Sequence, residues 1–171
     1  DVFELRPRIG YASTALAGRI PNSEAALDTV LTAAYGVTGR WVEEYEKTDI
    51  DRAKDLLGAF DIMHLADRTF GTLSEGERKR VQLARSLMTD PEIVMLDEPM
   101  AGVNPALTQS LLEHIKSLRD EGVTVVFVEH DMDVIRDISD WVVVMAQGQI
   151  IAESLPDRLG DNDAVVDAYL G

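Results

Sequence analysis

Two short apolar runs, each followed at once by charged residues, constrain the fold of this chain more than any other feature. The runs occupy residues 92–96 and 123–128, and apolar side chains dominate both. Strands that are covered on both faces in a parallel sheet read as continuous apolar runs, whereas strands with one face in water alternate apolar and polar residues. We therefore expect two parallel strands covered on both faces, with Asp97 at the carboxyl end of the first and His130 at that of the second.

A helix is predicted between the two strands. Asn104 is its candidate N-cap, Pro105 suits the first helical position, and Gly122 lies just beyond its end. The residues expected on its buried side are Leu107, Leu111, Ile115 and Leu118. Such a helix supplies the crossover that a parallel strand pair requires.

The part of the chain before these runs has a different pattern. Residues 8–12 fit a short strand, but no convincing strand pattern occurs from 22 to 73. Ser23 is a candidate N-cap for a helix that ends before Gly36, and a second helix is expected over residues 51–60.

This shift in composition predicts an α/β fold with a mostly parallel sheet and a helical insert. Residues 1–21 would end the N-terminal part of the core, residues 22–90 would form the helical subdomain, and residues 91–171 would form the α/β core. Within the last part, Gln147-Gly148 predicts the tight turn of a hairpin, which two short helices would follow.

Size and composition exclude several classes of protein. The 171 residues, of which 46% are hydrophobic, suffice for one domain with a buried core. The absence of cysteine excludes disulfides, thiolate nucleophiles and cysteine-ligated zinc. The sequence has no charged-then-apolar leader and no apolar run of about 18 residues, so we expect a cytoplasmic protein without a membrane span.

The charge balance is strongly acidic. Asp and Glu number 31 against 16 Lys and Arg, which gives a formal net charge of -15 at pH 7. Such a surface does not attract the phosphate backbone, so no nucleic-acid partner is expected. An excess of carboxylates suits a salt-rich cytoplasm that screens their repulsion, and an acidic protein from an ordinary cell is the alternative.

Ser74 and Glu77 have the spacing of a capping box, in which each side chain bonds the other residue's amide at the start of a helix. By itself this pattern predicts no more than a helix N-terminus. The free amides and positive dipole end of a helix also bind phosphate without lysine, and Gly76 would let the backbone approach such an anion.

The rest of the same helix divides into two predicted sides. We expect its basic residues to face outward as a solvated surface, with contact to a partner as the alternative. These residues are Arg78, Lys79, Arg80 and Arg85. The buried side would comprise Val81, Ala84 and Met88, beside Leu83 and Leu87.

Three residues at the ends of the two apolar runs suit phosphate chemistry. Ligands bind at the carboxyl ends of parallel strands, where Asp97 could orient Mg²⁺. Glu98 would then point towards an attacking water as a general base. The imidazole of His130 could hydrogen-bond a γ-phosphate and help to orient that water, although a lone histidine after a strand is usually structural.

Together these motifs resemble the ATP-binding cassette (ABC) ATPases. Residues 73–77 resemble the signature motif, residues 93–99 the Walker B strand with its catalytic glutamate, residues 101–104 the D-loop, and His130 the switch histidine. The resemblance implies a P-loop NTPase-like cassette that uses ATP and Mg²⁺, in which two cassettes face head to tail with ATP between them.

The resemblance also implies roles for individual residues. Asp97 as metal ligand and Glu98 and His130 as catalytic residues would act on the ATP of their own cassette. The residues that would contact the nucleotide of the opposite cassette are Ser74, Gly76, Glu77 and Asn104. The implied partners are a second cassette, identical or different, and transmembrane permease subunits, so the protein would lie on the inner face of the cell membrane.

Several positions depart from the family pattern. Glu75 and Glu77 replace Gly and Gln of the signature, Asn104 replaces the D-loop Asp, and Thr14 stands where the Q-loop Gln would contact Mg²⁺ and the permease. No stretch matches the phosphate-binding GxxxxGK[ST] loop, which the family has upstream of the position of residue 1. The expectation is therefore a cassette lacking its N-terminal part, or a degenerate cassette, that is inactive in isolation.

Different parts of the chain resemble different branches of the family. Residues up to about 90 are similar to stand-alone cassettes of the molybdate-related type, whereas residues 100–105, 130–141 and 168–171 are similar to branched-chain amino-acid transporter ATPases. A natural mosaic, a recombinant chain or chance similarity of short motifs would each produce this. The implied function is ATP hydrolysis that drives import of branched-chain amino acids. The alternatives are a soluble stand-alone ATPase that acts on a cytoplasmic partner, or a non-hydrolytic binding fragment.

Overall fold

The computed structural model describes residues 1–170, without the side chains of Val2, Phe3 and Leu170. Gly171 lies outside the described residues. It is the last residue of the predicted α/β core, 91–171, and of the segment 168–171 that resembles branched-chain amino-acid transporter ATPases. The chain divides into two compact units, which span residues 1–128 and 129–171. The three-part division expected from the sequence stays a prediction.

The first unit contains a three-stranded parallel sheet and six helices among its described residues. The strands are β1 (Ile9–Ala12), β2 (Ile93–Asp97) and β3 (Thr124–Val128), and the helices are α1 (Val2–Leu5), α2 (Thr14–Ala17), α3 (Ala26–Leu31), α4 (Lys47–Ala59), α5 (Glu75–Ser86) and α6 (Pro105–Asp120). The strand order is β1-β2-β3, and Met95 in the middle pairs with Tyr11 on one side and Val126 on the other. Short 3-10 helices span Arg6–Arg8, Thr32–Tyr35, Met63–Leu65 and Phe70–Thr72.

The predicted fold class is confirmed. Between β1 and β2, the described residues form helices and one isolated β-bridge, between Ala25 and Thr69. Helix α6 connects β2 to β3 as the predicted crossover, and its N-cap Asn104 accepts a hydrogen bond from the Leu107 amide at 2.9 Å.

The core of this unit lies between the sheet and helix α5. Val94 and Leu96 of β2 are buried, as are Val81 and Ala84 of α5. Strand β1 approaches the end of α5 so closely that a Cβ on Gly10 would overlap the backbone carbonyl of Ser86. Glycine is therefore required at this position of β1.

The prediction that both strands are covered on both faces is wrong for the described residues. Val94 is fully buried, but Met95 is 42% exposed, and Val126 and Val128 of β3 are 46% and 61% exposed. Helix α5 packs against the face that carries Val94, and the opposite face stays open. The sequence did not reveal this alternation because residues on both faces are apolar, and exposed apolar side chains are common on protein surfaces.

The starts of the first two longer helices differ from the sequence-based expectation. Helix α3 follows Ala25 rather than Ser23, and Ala25 provides no side-chain cap. Backbone carbonyls of a later loop replace the cap: the Ala26 amide donates to Arg68 O at 2.9 Å, and the Leu27 amide donates to Ala66 O at 3.0 Å. Helix α4 begins at Lys47, before the predicted residue 51, because Glu46 and Asp49 form a capping box.

The predicted outward orientation of the basic residues on α5 is also wrong. Lys79 and Arg85 are only 5% and 7% exposed. Arg85 donates to Val37 O at 2.6 Å, and Arg78 donates to Phe70 O and Gly71 O at 3.1 and 2.8 Å. Because α3, α4 and β1 surround α5, these cations donate to backbone carbonyls of other segments instead of facing water. Burial lowers the pKa of Arg85. The predicted buried side of α5 is confirmed.

The second unit contains a hairpin and short helices. Its elements are α7 (Met132–Ile138), β4 (Val142–Ala146), β5 (Gln149–Ser154), a 3-10 helix (Pro156–Asp161), α8 (Asp163–Val165) and a π-helical turn (Val166–Leu170). Strands β4 and β5 are antiparallel, and Gln147 and Gly148 have φ angles of 51° and 78°. Positive φ at both central residues defines a type I′ turn, so the predicted hairpin is confirmed. In the part of the chain that the structure describes, no helix is long and apolar enough to cross a membrane.

Candidate functional site

The capping box predicted at the start of α5 is present. The Glu77 carboxylate accepts from the Ser74 amide at 2.7 Å and from the Ser74 hydroxyl at 2.9 Å, while the Glu77 amide donates to Ser74 Oγ at 3.4 Å. These bonds and the nearby Arg68 stabilise the ionised carboxylate, which lowers the pKa of Glu77. The Ser74 side chain is thereby fixed at the positive end of the α5 dipole.

Gly76 is buried between the starts of α5 and α6. A Cβ at this position would overlap the Cδ2 methyl of Leu107, so any larger residue would require the Leu107 side chain to shift. Gly102, with a φ of 72°, lies close to Glu75 in the same region. The structure therefore brings Ser74, Gly76 and the Asn104 turn together. The group that lies closest to Gly76 in this structure is the side chain of Leu107.

Asp97 lies at the carboxyl end of β2, next to a small cavity. The cavity has a volume of ≈ 10 Å³ and is lined by Ala12, Ser13, Lys79, Gln82, Leu83, Asp97 and Pro99. A space of this size admits about one water molecule. No cluster of three or more His, Cys, Asp or Glu residues with metal-binding geometry occurs among the described residues. Mg²⁺ needs only one or two protein carboxylates when phosphates and water complete its shell, so Asp97 fits a single-carboxylate magnesium ligand.

Glu98 follows Asp97 in a left-handed backbone conformation, with a φ of 47°. Its amide donates to Val128 O at 2.9 Å, and its carbonyl accepts from Lys79 Nζ at 2.8 Å. The left-handed conformation is unfavourable by about 1–2 kcal/mol for a residue with a side chain, so surrounding contacts must maintain it. The β3 terminus and Lys79 supply those contacts, and the Glu98 residue remains exposed.

His130 lies at the beginning of the second unit. Its side chain is 72% exposed, and Nδ1 is 4.0 Å from Oε2 of Glu129, whose own side chain is 2% exposed. The His130 amide donates to the same Glu129 oxygen at 3.3 Å. Its role towards a phosphate stays a prediction.

Three buried polar residues lie beside Asp97 without a sequence motif that predicts them there. Lys79 was predicted to face outward, and no motif gives a role to Ser13 or Gln82, which are 1% and 4% exposed. Ser13 is the N-cap of α2, and its Oγ accepts from the Leu16 amide at 3.0 Å. Helical spacing contains a signal for Lys79, because it shares one face of α5 with the buried Gly76 and Leu83.

Thr14, which the family resemblance predicts at the Q-loop position, is the first residue of α2 and lines a surface groove of ≈ 310 Å³. The other residues that line the groove are Ala17, Gly18, Ile20, Asn22, Phe70, Glu75, Arg78 and Gln82. Gln82 thus borders both this groove and the cavity at Asp97.

Comparison with known proteins places the chain in a family. Residues 4–101 match the sequence profile described as ABC transporter. The high-affinity branched-chain amino acid transport ATP-binding protein BraF of Pseudomonas aeruginosa is 42% identical over 127 residues, which cover 74% of this chain and 50% of that protein. The corresponding protein LivG of Escherichia coli K12 is 40% identical over 123 residues, which cover 71% of this chain and 48% of that protein.

The chain spans about half the length of the curated relatives it matches. Each of these alignments is longer than residues 91–171, so the similarity to branched-chain amino acid transport proteins extends into the first 90 residues. This similarity was expected only at residues 100–105, 130–141 and 168–171, and that expectation is wrong.

Solved structures agree with this assignment. An ATP-binding cassette of an ABC transporter in its ADP conformation has a TM-score of 0.81 at 29% identity, covering 98% of this chain and 70% of that one. A nucleotide-free ATP-binding cassette has a TM-score of 0.76 at 27% identity, covering 98% and 66%. The chain belongs to the ABC transporter family of ATP-binding cassettes, and it is similar to the ATP-binding proteins of branched-chain amino acid transport.

Proposed function

We propose that the polypeptide carrying this sequence binds and hydrolyses ATP as the cassette subunit of an ABC importer. The observation that carries the proposal is the bond from Lys79 of α5 to the carbonyl of Glu98 at the end of β2. This bond couples the helix that begins with Ser74 to the carboxylates that follow the strand. Both motifs are thereby held in one compact unit.

In the proposed site, Asp97 at the carboxyl end of β2 would hold Mg²⁺, which when bound would supply positive charge next to the phosphate oxygens. The exposed Glu98 would act as the general base: it accepts a proton from the attacking water, whose oxygen bonds the terminal phosphorus as the bond to the ADP oxygen breaks. The proposal gives the two carboxylates separate roles, and Glu98 differs from Asp97 in its left-handed backbone conformation and its exposure.

The remaining site residues are proposed to contact the nucleotide of a second cassette, to support that contact surface, or to assist catalysis. Ser74 presents its hydroxyl, next to the amides of the first turn of α5, to the nucleotide of a second cassette. Gly76, Glu77 and Asn104 maintain the shape of that surface through the Leu107 contact and the two caps. His130 is proposed as a further catalytic residue on the basis of the family resemblance alone.

We further propose branched-chain amino acids as the transported solutes and transmembrane permease subunits as partners, with the cassette bound to the inner face of the membrane. The names of the relatives at 40–42% identity support this choice. The runner-up is a soluble stand-alone ATPase with a cytoplasmic partner. It is favoured by Thr14, which lacks the amide that would contact the metal and the permease.

Reconstitution distinguishes these two functions. The complete polypeptide, purified with its permease subunits and placed in proteoliposomes, should hydrolyse ATP faster when leucine is delivered and should accumulate labelled leucine inside. A polar amino acid such as lysine is the matched control. Hydrolysis that is indifferent to the membrane subunits and to leucine would support the stand-alone ATPase instead.

A further inference from the structure

The loop between the Thr32–Tyr35 helix and α4 holds two large apolar side chains in solvent. This segment, residues 36–46, is named the Trp41 loop. Trp41 is 87% exposed and Val42 is 76% exposed, more than any other large apolar side chain in the described part of the chain. Full exposure of adjacent Trp and Val residues forfeits several kcal/mol of apolar burial, on the order of 1.5–3 kcal/mol for each side chain.

Hydrogen bonds restrain the Trp41 loop, so a lack of contacts does not explain why these residues are exposed. The buried Arg85 donates to Val37 O at 2.6 Å near the beginning of the loop, and the Tyr35 hydroxyl donates to Glu44 O at 3.0 Å near its end. At the tip, the Trp41 amide donates to Glu43 Oε2 at 2.9 Å. Three hydrogen bonds along a short loop restrict its backbone while both apolar side chains remain outside.

Arg40, the residue before Trp41, is fixed as well. Its amide donates to Glu24 Oε1 at 3.1 Å, and its guanidinium forms an ion pair with Asp28 at 2.8 Å. The same guanidinium lies over the Tyr45 ring, 5.2 Å from the centroid. The positive charge closest in sequence to Trp41 is therefore already engaged by Asp28 of α3 and by the Tyr45 ring.

The surroundings of the exposed pair are acidic. Glu43, Glu44 and Glu46 follow it in the loop, and Glu24 borders it through the Arg40 amide. Hydrogen bonds from the Trp41 and Glu43 amides lower the pKa of Glu43, so this carboxylate stays charged at neutral pH. Carboxylates therefore outnumber the cations Arg40 and Lys47 beside the apolar tip. Such a surface complements one of opposite charge that presents an apolar residue.

We propose that the Trp41 loop is a docking surface for a basic polypeptide segment, one that presents an apolar side chain between Lys or Arg residues. A restrained loop loses little entropy on binding, and Trp at the centre of a polar rim is a common binding hot spot. Anionic lipid is disfavoured because the carboxylates repel it. Docking of the same loop from a second copy is disfavoured because the carboxylates of the two loops would repel each other.

Peptide binding to the complete polypeptide tests this docking surface. The probe is a dye-labelled synthetic peptide of Leu and Lys at helical spacing, with the same peptide carrying Glu for Lys as its control, read by fluorescence anisotropy. We expect Trp41→Ser to raise the Kd of the Lys peptide by about tenfold or more, the size of a hot-spot loss. Trp141→Ser, which removes the other, 57% exposed Trp, should leave the Kd within a factor of about two.

A charge variant and vesicles complete the experiment. Glu44→Lys should weaken binding of the Lys peptide and strengthen binding of the Glu peptide, because Glu44 contributes to the loop through its backbone carbonyl and its charge. The proposal is overturned by absence of Lys-peptide binding, by equal binding of both peptides, or by equal effects of the two Trp substitutions. Binding to phosphatidylglycerol vesicles that Trp41→Ser abolishes would assign the loop to a membrane surface instead.

Discussion

At the scale of single residues, the position of the proposed general base depends on the backbone bonds of Glu98. Its carbonyl accepts from Lys79 and from the Ala101 amide, and its own amide donates to Val128, which together maintain the left-handed conformation. The acidic pair at the end of the strand could be predicted from its position after an apolar run. The φ of 47° could not, because glutamate gives no sequence signal for a left-handed residue.

The first prediction concerns Lys79, whose ammonium holds the Glu98 carbonyl. Lys79→Met removes the charged donor and keeps a side chain of similar length in a buried position. We expect the free energy of unfolding to fall by about 1–2 kcal/mol, since the Ala101 amide still donates to the carbonyl at 3.2 Å. Urea unfolding measures this, with the exposed Lys54→Met as control, and equal stabilities of the two variants would contradict the proposed role.

The second prediction concerns the pH dependence that Glu77 contributes. Because its pKa is lower in the folded state, its bonds stabilise the fold above the unfolded value of about 4.3, and this contribution disappears as the pH falls through the folded value. Glu77→Gln retains a capping side chain but does not titrate. The stability difference between wild type and Glu77→Gln should therefore shrink from pH 6 to pH 3 in thermal melts. A constant difference across that range would show that the capping carboxylate contributes nothing through its charge.

At the scale of elements, the turns and helix caps that depend on neighbouring residues were predictable from the sequence. Features that depend on contacts between distant residues were not. The Ser74–Glu77 box, the Asn104 cap and the Gln147-Gly148 turn are local patterns, and the structure contains all three. The predicted start of α3 is wrong because carbonyls from residues 66 and 68 accept from its first amides. The predicted orientation of Arg85 is wrong because its acceptor is the carbonyl of Val37, far away in sequence.

The hairpin supplies the third prediction. Gln147 occupies a type I′ position with positive φ, which Asn adopts more readily than Gln. Gln147→Asn should raise the free energy of unfolding by about 0.5–1 kcal/mol, whereas Gln147→Val should lower it by about 1 kcal/mol or more. Denaturant unfolding of both variants provides the measurement, and a destabilising Gln147→Asn would show that the turn has another conformation.

At the scale of the whole molecule, one face of the sheet and the net charge dominate the expected behaviour. Tyr11, Met95 and Val126 pair across the three strands and are 44%, 42% and 46% exposed. Parallel pairing was predictable from the apolar runs. Which face stays open was not, because it depends on where α5 packs.

The fourth prediction follows from this open face. The isolated 171-residue chain should self-associate, because adjacent exposed apolar residues on a sheet promote contacts between copies. Met95→Lys with Val126→Lys should reduce the association, and sedimentation velocity over a range of concentrations measures it. A chain that stays monomeric at all concentrations without these substitutions would contradict the prediction.

The fifth prediction concerns salt and the net charge of -15. Raising KCl from about 0.1 M to about 1 M shortens the Debye length from about 10 Å to about 3 Å and weakens repulsion between carboxylates. The melting temperature of the complete polypeptide should rise over this range at fixed pH and protein concentration. A melting temperature that stays flat or falls would favour an acidic protein without adaptation to salt.

The central claim is that Glu98 acts as the general base of an ATP-hydrolysing site, and Mg²⁺-dependent ATP turnover tests it most directly. In the complete polypeptide, Glu98→Gln should lower the turnover rate by roughly 10²–10⁴ and leave ATP affinity unchanged, since loss of the base acts mainly on the transition state. Glu113→Gln, at an exposed position of α6, should leave both quantities unchanged. The isolated chain, which contains no GxxxxGK[ST] loop, should show no turnover. Normal hydrolysis by the Glu98→Gln variant would contradict the role of Glu98 as the general base. Turnover by the isolated chain would contradict only the prediction that this chain is inactive by itself.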